Sequence, residues 1–393
     1  MKTTTITEHG ISAKTALRFV ILLGIVSLFA DMTYEGARSI NGPYLAILGA
    51  SGTVVGIVSG LGELIGFSIR LLSGYMSDKT KGYWTITFFG YAINLIAIPL
   101  LALAGNWQLA ALLMVIERIG KGIRVPPRDA MLSYATQHMG RGWGFGLHEA
   151  LDQLGAIFGP LVMASVLFFR GGYQAAYGTL LVPALLALGI LAIARLMYPR
   201  PQDLELSQTR LQVQGFSKTF WLYLLATALI AAGFADFPLI AYHFQKASVA
   251  DPAIIPILYA VAMGVDAVAA LIFGRLFDRL GLSTMMLVAG LSAFFAPLVF
   301  FGNFPLAVLG MALWGIGMGA QESIMRAAIA GMILPKQRGL AYGLFNMVYG
   351  IAWFFGSVLI GVLYDVSIPW LVAFSVIAQL ASIPVFYFIR KQV

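Results

Sequence analysis

The sequence predicts an all-α polytopic membrane protein, with twelve transmembrane helices arranged as two pseudo-symmetric six-helix bundles. Three observations lead there. The 393 residues are 60% hydrophobic and only 11% charged, against about 25% charged in a soluble globular domain. Apolar stretches of ~20 residues, each long enough to cross a bilayer, follow one another with short breaks. The tripeptide Phe29-Ala30-Asp31 recurs as Phe234-Ala235-Asp236, within a longer series of repeats in the same order.

The apolar windows place spans near 17–38, 47–74, 83–104, 107–128, 142–169 and 172–197. A second set lies near 218–242, 252–274, 282–302, 305–330, 339–364 and 368–389. The longest connection, Tyr198 to Ser217, carries Pro199-Arg200-Pro201-Gln202-Asp203. It separates an N-terminal bundle (1–198) from a C-terminal one (218–393), with 199–217 as a cytoplasmic linker. An even span count puts both termini on one side. That side holds Lys2, Lys14, Arg18, Lys79, Lys81, Arg128, Arg141, Arg200, Arg210, Arg275, Arg279, Lys336, Arg338, Arg390 and Lys391. The other side has Arg38, Arg170, Lys246 and little else. Both termini are therefore expected in the cytoplasm of a multi-pass protein of the cell (inner) membrane. The run from Ala16 to Ala30 lacks a small-residue cleavage pattern, so a cleaved leader is not expected.

The halves repeat beyond the first tripeptide. Gly74 and Asp78 answer to Gly274 and Asp278, Arg128 to Arg326, and Arg141-Gly142 to Arg338-Gly339. Gly146 answers to Gly343 and Gly159 to Gly356. Six-span repeats of one orientation, with a substrate site between them near mid-membrane, are the architecture of alternating-access transporters.

Other classes are disfavoured. The net charge of +8 is spread over short turns, so nucleic acid is not an expected partner. The absence of cysteine excludes disulfides and thiolate metal sites. Gly120-Lys121-Gly122 lacks the spacing of a phosphate-binding loop, so direct ATP drive is not expected. Neither an enzyme activity nor an organic cofactor is expected. Protons are the expected coupling ion, and the lipid bilayer and a small-molecule or ionic substrate the expected partners of a monomer.

Particular stretches resemble the major facilitator superfamily. Gly74-Tyr75-Met76-Ser77-Asp78-Lys79-Thr80-Lys81-Gly82 resembles its signature loop between spans two and three. Gly274-Arg275-Leu276-Phe277-Asp278-Arg279-Leu280-Gly281 resembles the second copy. Tyr83 and Trp84 stand where the fuller pattern has a paired arginine. Arg118 resembles the family's buried arginine in span four, and Gly155-Ala156-Ile157-Phe158-Gly159-Pro160 the glycine-proline motif of its antiporter branch. The stretch from Arg118 to Ala130 is similar to a bacterial and archaeal subgroup usually described only as candidate exporters. The resemblance implies two bundles rocking around a central cavity. Its gate would use Asp78, Lys79, Asp278 and Arg279, with Arg128 and Arg326. Asp78 and Asp278 could cap helix N-termini of the opposite bundle, where free amides and the helix dipole favour an anion.

Ionisable residues inside spans mark functional sites by default. Asp31, Tyr34 and Glu35 share adjoining parts of one helix face, with Arg38 near enough to neutralise Glu35. Asp236 precedes Pro238, which can break the helix at a ligand site. If Asp31 faces a cavity, its carboxyl can take up and release a proton. Arg118 is expected to pair with Glu149 or Asp152 of the fifth span, and His148–Asp152 at i,i+4 to form a relay. Glu63 and Arg70 lie two turns apart on nearly one face, Asp266 is a lone acid in the eighth span, and Glu322 and Arg326 can pair. Gly56 and Gly60 predict close helix packing.

An acid-lined cavity in a Phe- and Met-rich shell suits cationic or amphiphilic solutes, so proton-coupled export of such a compound is the first expectation. Export of a divalent metal by Asp31, Glu35, Asp236 and His243 is the runner-up. Transport of an organic anion or sugar received by Arg118 and Lys121 is third. A signalling or scaffold protein that uses the fold without flux is the alternative of a different class.

Overall fold

The computed structural model describes residues 13–136, 141–199, 216–333 and 338–391, and all regular structure there is helical. In lipid no water satisfies backbone amides and carbonyls, so a spanning segment must satisfy them internally. The N-terminal half contains α1 (Ala13–Ile47), α2 (Gly52–Thr80), α3 (Tyr83–Leu100), α4 (Trp107–Thr136), α5 (Arg141–Phe168), α6 (Gly172–Thr179) and α7 (Leu181–Met197). The C-terminal half contains α8 (Lys218–Gly233), α9 (Phe237–Lys246), α10 (Ile255–Leu280), α11 (Leu282–Ser292), α12 (Phe295–Phe300), α13 (Phe304–Met332), α14 (Arg338–Val366) and α15 (Ile368–Arg390). The sixth, seventh and ninth spans are each two helices in series: α6–α7, α8–α9 and α11–α12.

Among the described residues, eleven segments are long and apolar enough to cross a membrane. The remaining span is α4, whose length suffices but whose middle carries Glu117, Arg118, Lys121, Arg124, Arg128 and Asp129. The first span runs past its expected end at 38, through Pro43, to Ile47. There Gly42 lies against the backbone of Pro238 and Tyr242 in the other half, so packing carries the helix across a stretch that reads as a break. The interior of the linker lies outside the described residues.

Packing repeats between the halves. In the first, α1 packs on α5 and α7, α2 on α4, and α3 on α4 and α7. In the second, α8 packs on α14 and α15, α10 on α13, and α11–α12 on α13 and α15. Each pair in one list has its counterpart in the other, as two pseudo-symmetric bundles require. Between the bundles, α1 meets α9, α2 meets α14, and α5 meets α10.

The glycines matched in sequence do matched work. A Cβ on Gly159 would fall on the carbonyl of Met32, and one on Gly356 on the carbonyl of Ala232. Spans five and eleven thereby reach contact with the backbones of spans one and seven. Overpacking at such a site costs about 1–3 kcal/mol. Gly159→Val is expected to lower the melting temperature in detergent, while Gly189→Ala, with nothing within 4 Å, leaves it unchanged. Equal melting curves would contradict this packing. Gly56 and Gly60 serve the other interface: they face Ser357, Gly361 and Phe354 of α14.

Candidate functional site

Helical periodicity places Arg118, Lys121, Arg124 and Arg128 of α4 three or four residues apart, on adjoining turns of one side, with Glu117 next to Arg118. Asp31, Tyr34, Glu35 and Arg38 repeat similarly on α1. The helices run antiparallel, and their charges meet in steps. Arg124 Nη2 lies 3.2 Å from Asp31 Oδ1. Lys121 Nζ lies 4.0 Å from Glu35 Oε1 and 3.4 Å from the Tyr34 ring centroid, with the Arg118 guanidinium 4.9 Å from the same ring. Arg118 Nη1 reaches Glu63 Oε1 of α2 at 2.6 Å, and its Nε lies 3.6 Å from Glu117. Asn94 of α3 donates to Glu117 at 2.7 Å.

Arg118 therefore pairs with Glu63, rather than with Glu149 or Asp152. Glu63 correspondingly takes Arg118 in preference to Arg70, which lies over the Phe67 ring. The cause is backbone spacing. Gly62 leaves room for the Arg118 stem, 2.8 Å from where a Cβ would be, and Gly122 lies 2.9 Å by the same measure from the Gly66 carbonyl. Spans two and four are thus close along their charged stretch.

Two contacts join this ladder to the C-terminal bundle. Arg38 Nη2 lies 2.6 Å from Asp236 Oδ1, and the Tyr259 hydroxyl of α10 donates to Glu35 at 2.6 Å. The seventh span is broken between Gly233 and Phe237, as Pro238 predicts, and Asp236 caps α9 by accepting from the Phe237 amide at 2.9 Å. Trp314 donates to the freed Ala235 carbonyl at 2.9 Å. Arg38 is 6% exposed and Asp236 2%, so their pairing is well removed from solvent.

A cavity of about 180 Å³ lies on the terminus-bearing side of these contacts. Arg38, Arg70, Arg118 and Lys121 line it, opposed by Glu35, Glu63 and Glu322. Tyr34, Phe67, Phe345, Tyr349 and Trp353 add aromatic surface, and Met318 and Met325 apolar surface. The expectation of an acid-lined cavity is corrected here: basic groups number four against three. Asp31 and Asp236 stand behind the lining, held by Arg124 and Arg38.

The remaining expected residues disperse. His148 Nε2 is 2.8 Å from Ser27 Oγ, while Asp152, four residues on, stands against Asp31; the expected relay is not formed. Glu149 is exposed. His243 meets the Tyr364 hydroxyl at 3.1 Å, apart from Asp31, Glu35 and Asp236. Among the described residues no three His, Cys, Asp or Glu side chains are grouped to hold a metal ion. Asp31 is held by Arg124, Glu35 and Asp236 share Arg38, and His243 turns to Tyr364, so the expected metal set is not gathered at one point. Lys79, Asp278 and Arg279 are exposed. The side chains of Asp78 and Arg326 lie outside the described residues. Arg128 binds Asp129 at 2.8 Å and Ser27 at 3.2 Å.

A cap across the bundles is seen at the end opposite the termini, through a residue that carries no sequence signal. Asp365, last but one in α14, accepts from the Gly52 amide at 2.9 Å, the Thr53 amide at 2.7 Å and the Thr53 hydroxyl at 2.7 Å, all at the start of α2. Nearby, the Tyr242 hydroxyl donates to the Ala50 carbonyl at 3.0 Å. Arg124 and Tyr259 were also passed over. Arg124 was legible from its spacing on α4; a tyrosine in an apolar span gives little signal.

Two bundles of six spans, joined by few polar contacts around a charged central cavity, define a secondary active transporter of small molecules that works by alternating access. The sequence matches the Major Facilitator Superfamily over residues 23–265 and 220–392. The chain belongs to that family, and is thereby a multi-pass membrane transporter rather than an enzyme. It is 40% identical over 385 residues to an uncharacterised protein of Mycobacterium tuberculosis (strain ATCC 25618 / H37Rv), spanning 96% of this chain and 94% of that one. It is 27% identical to an uncharacterised MFS-type transporter of Methanocaldococcus jannaschii, over 88% of this chain and 89% of that one. Among solved structures, the nucleoside transporter NupG superposes with a TM-score of 0.73 at 16% identity, covering 95% and 98% of the two chains. A bacterial homologue of the human lysosomal transporter Spinster, inward-facing and unoccupied, gives 0.72 at 12% identity over 96% and 95%. At such identities the likeness concerns the fold.

Proposed function

We propose that this protein is a proton-coupled exporter of a compact organic solute that carries an anionic group, either alone or within a zwitterion. The cavity lining carries the reading: Arg38, Arg70, Arg118 and Lys121 outnumber Glu35, Glu63 and Glu322, and aromatic rings flank them. A carboxylate or phosphate docked between Lys121 and Arg118 competes with Glu35 and Glu63 for the same cations. A proton arriving on a released carboxylate would balance the charge. The contacts Arg38–Asp236 and Tyr259–Glu35 cross the bundle interface, so weakening them also loosens the closed end. Binding and conformation are coupled by shared partners. In this reading residues 1–198 and 218–393 are the rocking units, the termini are cytoplasmic, and the cavity faces inward. Export is supported by the resemblance of Gly155–Pro160 to the antiporter motif.

A cationic or amphiphilic cargo is the second reading. It is favoured by Phe67, Phe345, Tyr349 and Trp353 around Glu322. A Multidrug resistance protein MdtH of Proteus mirabilis is 26% identical over 122 residues, 31% of this chain.

Proteoliposomes under an imposed pH gradient discriminate, with zwitterions, organic anions, drug-like cations and divalent metals supplied in parallel and internal pH as readout. Proton movement is expected with anionic or zwitterionic solutes. It should weaken at least tenfold in apparent affinity in Lys121→Met, a loss of about 1.4 kcal/mol or more. Response to cations alone would establish the second reading. Silence toward every class would leave a protein that keeps the fold without flux.

A further inference from the structure

Asp266 lies midway along α10, is 2% exposed, and its Oδ1 has no hydrogen-bond partner. Among the described residues, the charged groups that bear on it are Glu322 from α13, Glu149 from α5 and Glu35 from α1. All are acids. Every buried acid of the ladder has a cation or a donor within reach; Asp266 is placed among its own kind.

The pseudo-repeat shows how that came about. In the first bundle Gly122 of span four lies 2.9 Å, measured from the position of a Cβ, from the carbonyl of Gly66 in span two. In the second bundle Gly319 of span ten packs in the same way on the carbonyl of Asp266 in span eight. Asp266 thus stands where the first bundle has glycine. A Cβ on Gly319 would also lie 2.5 Å from Asp266 Oδ1, so the glycine leaves the space that the carboxyl fills. In the same register Arg124 of the first bundle answers to Gln321 of the second, so the guanidinium that pairs with Asp31 has an uncharged counterpart.

An ionised carboxylate with no partner is costly to bury, and more so at membrane depth. A structural salt bridge would need a base and a helix cap would need free amides; among the described residues Asp266 has neither. It also shares a side of α10 with Tyr259, two turns or about 10.5 Å away, whose hydroxyl bonds Glu35 across the bundle interface.

We propose that Asp266 is a proton-binding site of the C-terminal bundle, neutral in this conformation and deprotonated when rocking of the bundles rearranges α5 and α1 against α10. The proton leaves the Asp266 carboxyl for a carboxylate of Glu322 or Glu149, both exposed, or for cavity water, and no other bond changes. This deepens the proton-coupled reading above and rests on it.

Infrared difference spectroscopy of the full chain in liposomes, recorded through a pH titration, tests the site without any solute. The wild-type protein is expected to show the carbonyl band of a buried protonated carboxyl. Asp266→Asn should lose that band, and Asp266→Glu should retain it at a shifted frequency. An undiminished band in Asp266→Asn overturns the proposal. Should that variant fail to fold, an unshifted band in Asp266→Glu overturns it equally. In the proteoliposome assay Asp266→Asn is expected to cut solute-driven proton movement at least tenfold while the solutes still raise its melting temperature; unchanged proton movement would remove Asp266 from coupling. If the wild type moves no protons yet its band vanishes in Asp266→Asn, the exporter reading fails and the proton site stands.

Discussion

Asp236→Ala is expected to destabilise the protein by about 3–5 kcal/mol, the range for breaking a buried pair and leaving its partner's charge uncompensated. The 2.6 Å contact with Arg38 is lost, and with it the cap on the Phe237 amide. Among the described residues, Arg38 would retain only Glu35 at 3.9 Å and Glu63 at 4.0 Å. Glu63 is already engaged by Arg118, so neither acid fully replaces Asp236. Thermal unfolding in detergent checks the expectation; a loss below about 1 kcal/mol would mean that Arg38 is solvated. Arg38→Met combined with Asp236→Leu is expected to recover much of the loss, since apolar isosteres often match a buried ion pair in stability. The same double variant should not transport, because the cross-bundle contact would no longer respond to a proton.

Asp365→Ala is expected to open the end opposite the termini. One carboxylate there satisfies two free amides and a hydroxyl at the start of α2, across the bundle interface. Loss of an N-terminal cap costs about 1–2 kcal/mol. Asp365 is exposed, and solvent screening keeps the figure at that level. Because these bonds exist only while this end is closed, the cost falls on the closed state and shifts the equilibrium about five- to thirty-fold. The cysteine-free sequence allows spin labels on Ile47→Cys and Val366→Cys, both exposed near this end on opposite bundles. Pulsed dipolar distances should move toward longer separations in Asp365→Ala. An unchanged distribution would show that Tyr242–Ala50 and the glycine contacts hold the end shut without it.

The latch illustrates what a sequence hides. The reading placed the capping carboxylates in the signature loops, at Asp78 and Asp278, because those stretches repeat and resemble a known motif. Asp278 is exposed and the side chain of Asp78 lies outside the described residues, while a cross-bundle cap forms at Asp365, which has no repeat partner and no motif. Its function exists only because α14 ends beside the start of α2. The fate of Arg118 has the same origin. It is nearer in sequence to Glu149 and Asp152 of span five, 31 and 34 residues away, than to Glu63 of span two, 55 away. Gly62, Gly66 and Gly122 bring α2 and α4 together, and the pairing follows backbone distance.

The twelve spans, their duplication, the break before Pro238 and the close packing at Gly56 and Gly60 were legible in the residues alone. Those features follow from local chemistry: apolar length, missing amides and absent side chains act on their own segment. The sequence also determined that charge lies inside the membrane, on α1 and α4. Which charges meet was settled by the placement of the helices. An apolar helix has no polar face to fix its rotation, so a carboxylate finds its cation only once the helices are placed. That step removed Asp31 and Asp236 from the cavity wall, dispersed the expected metal ligands, gave the lining its basic surplus, and left Asp266 among acids.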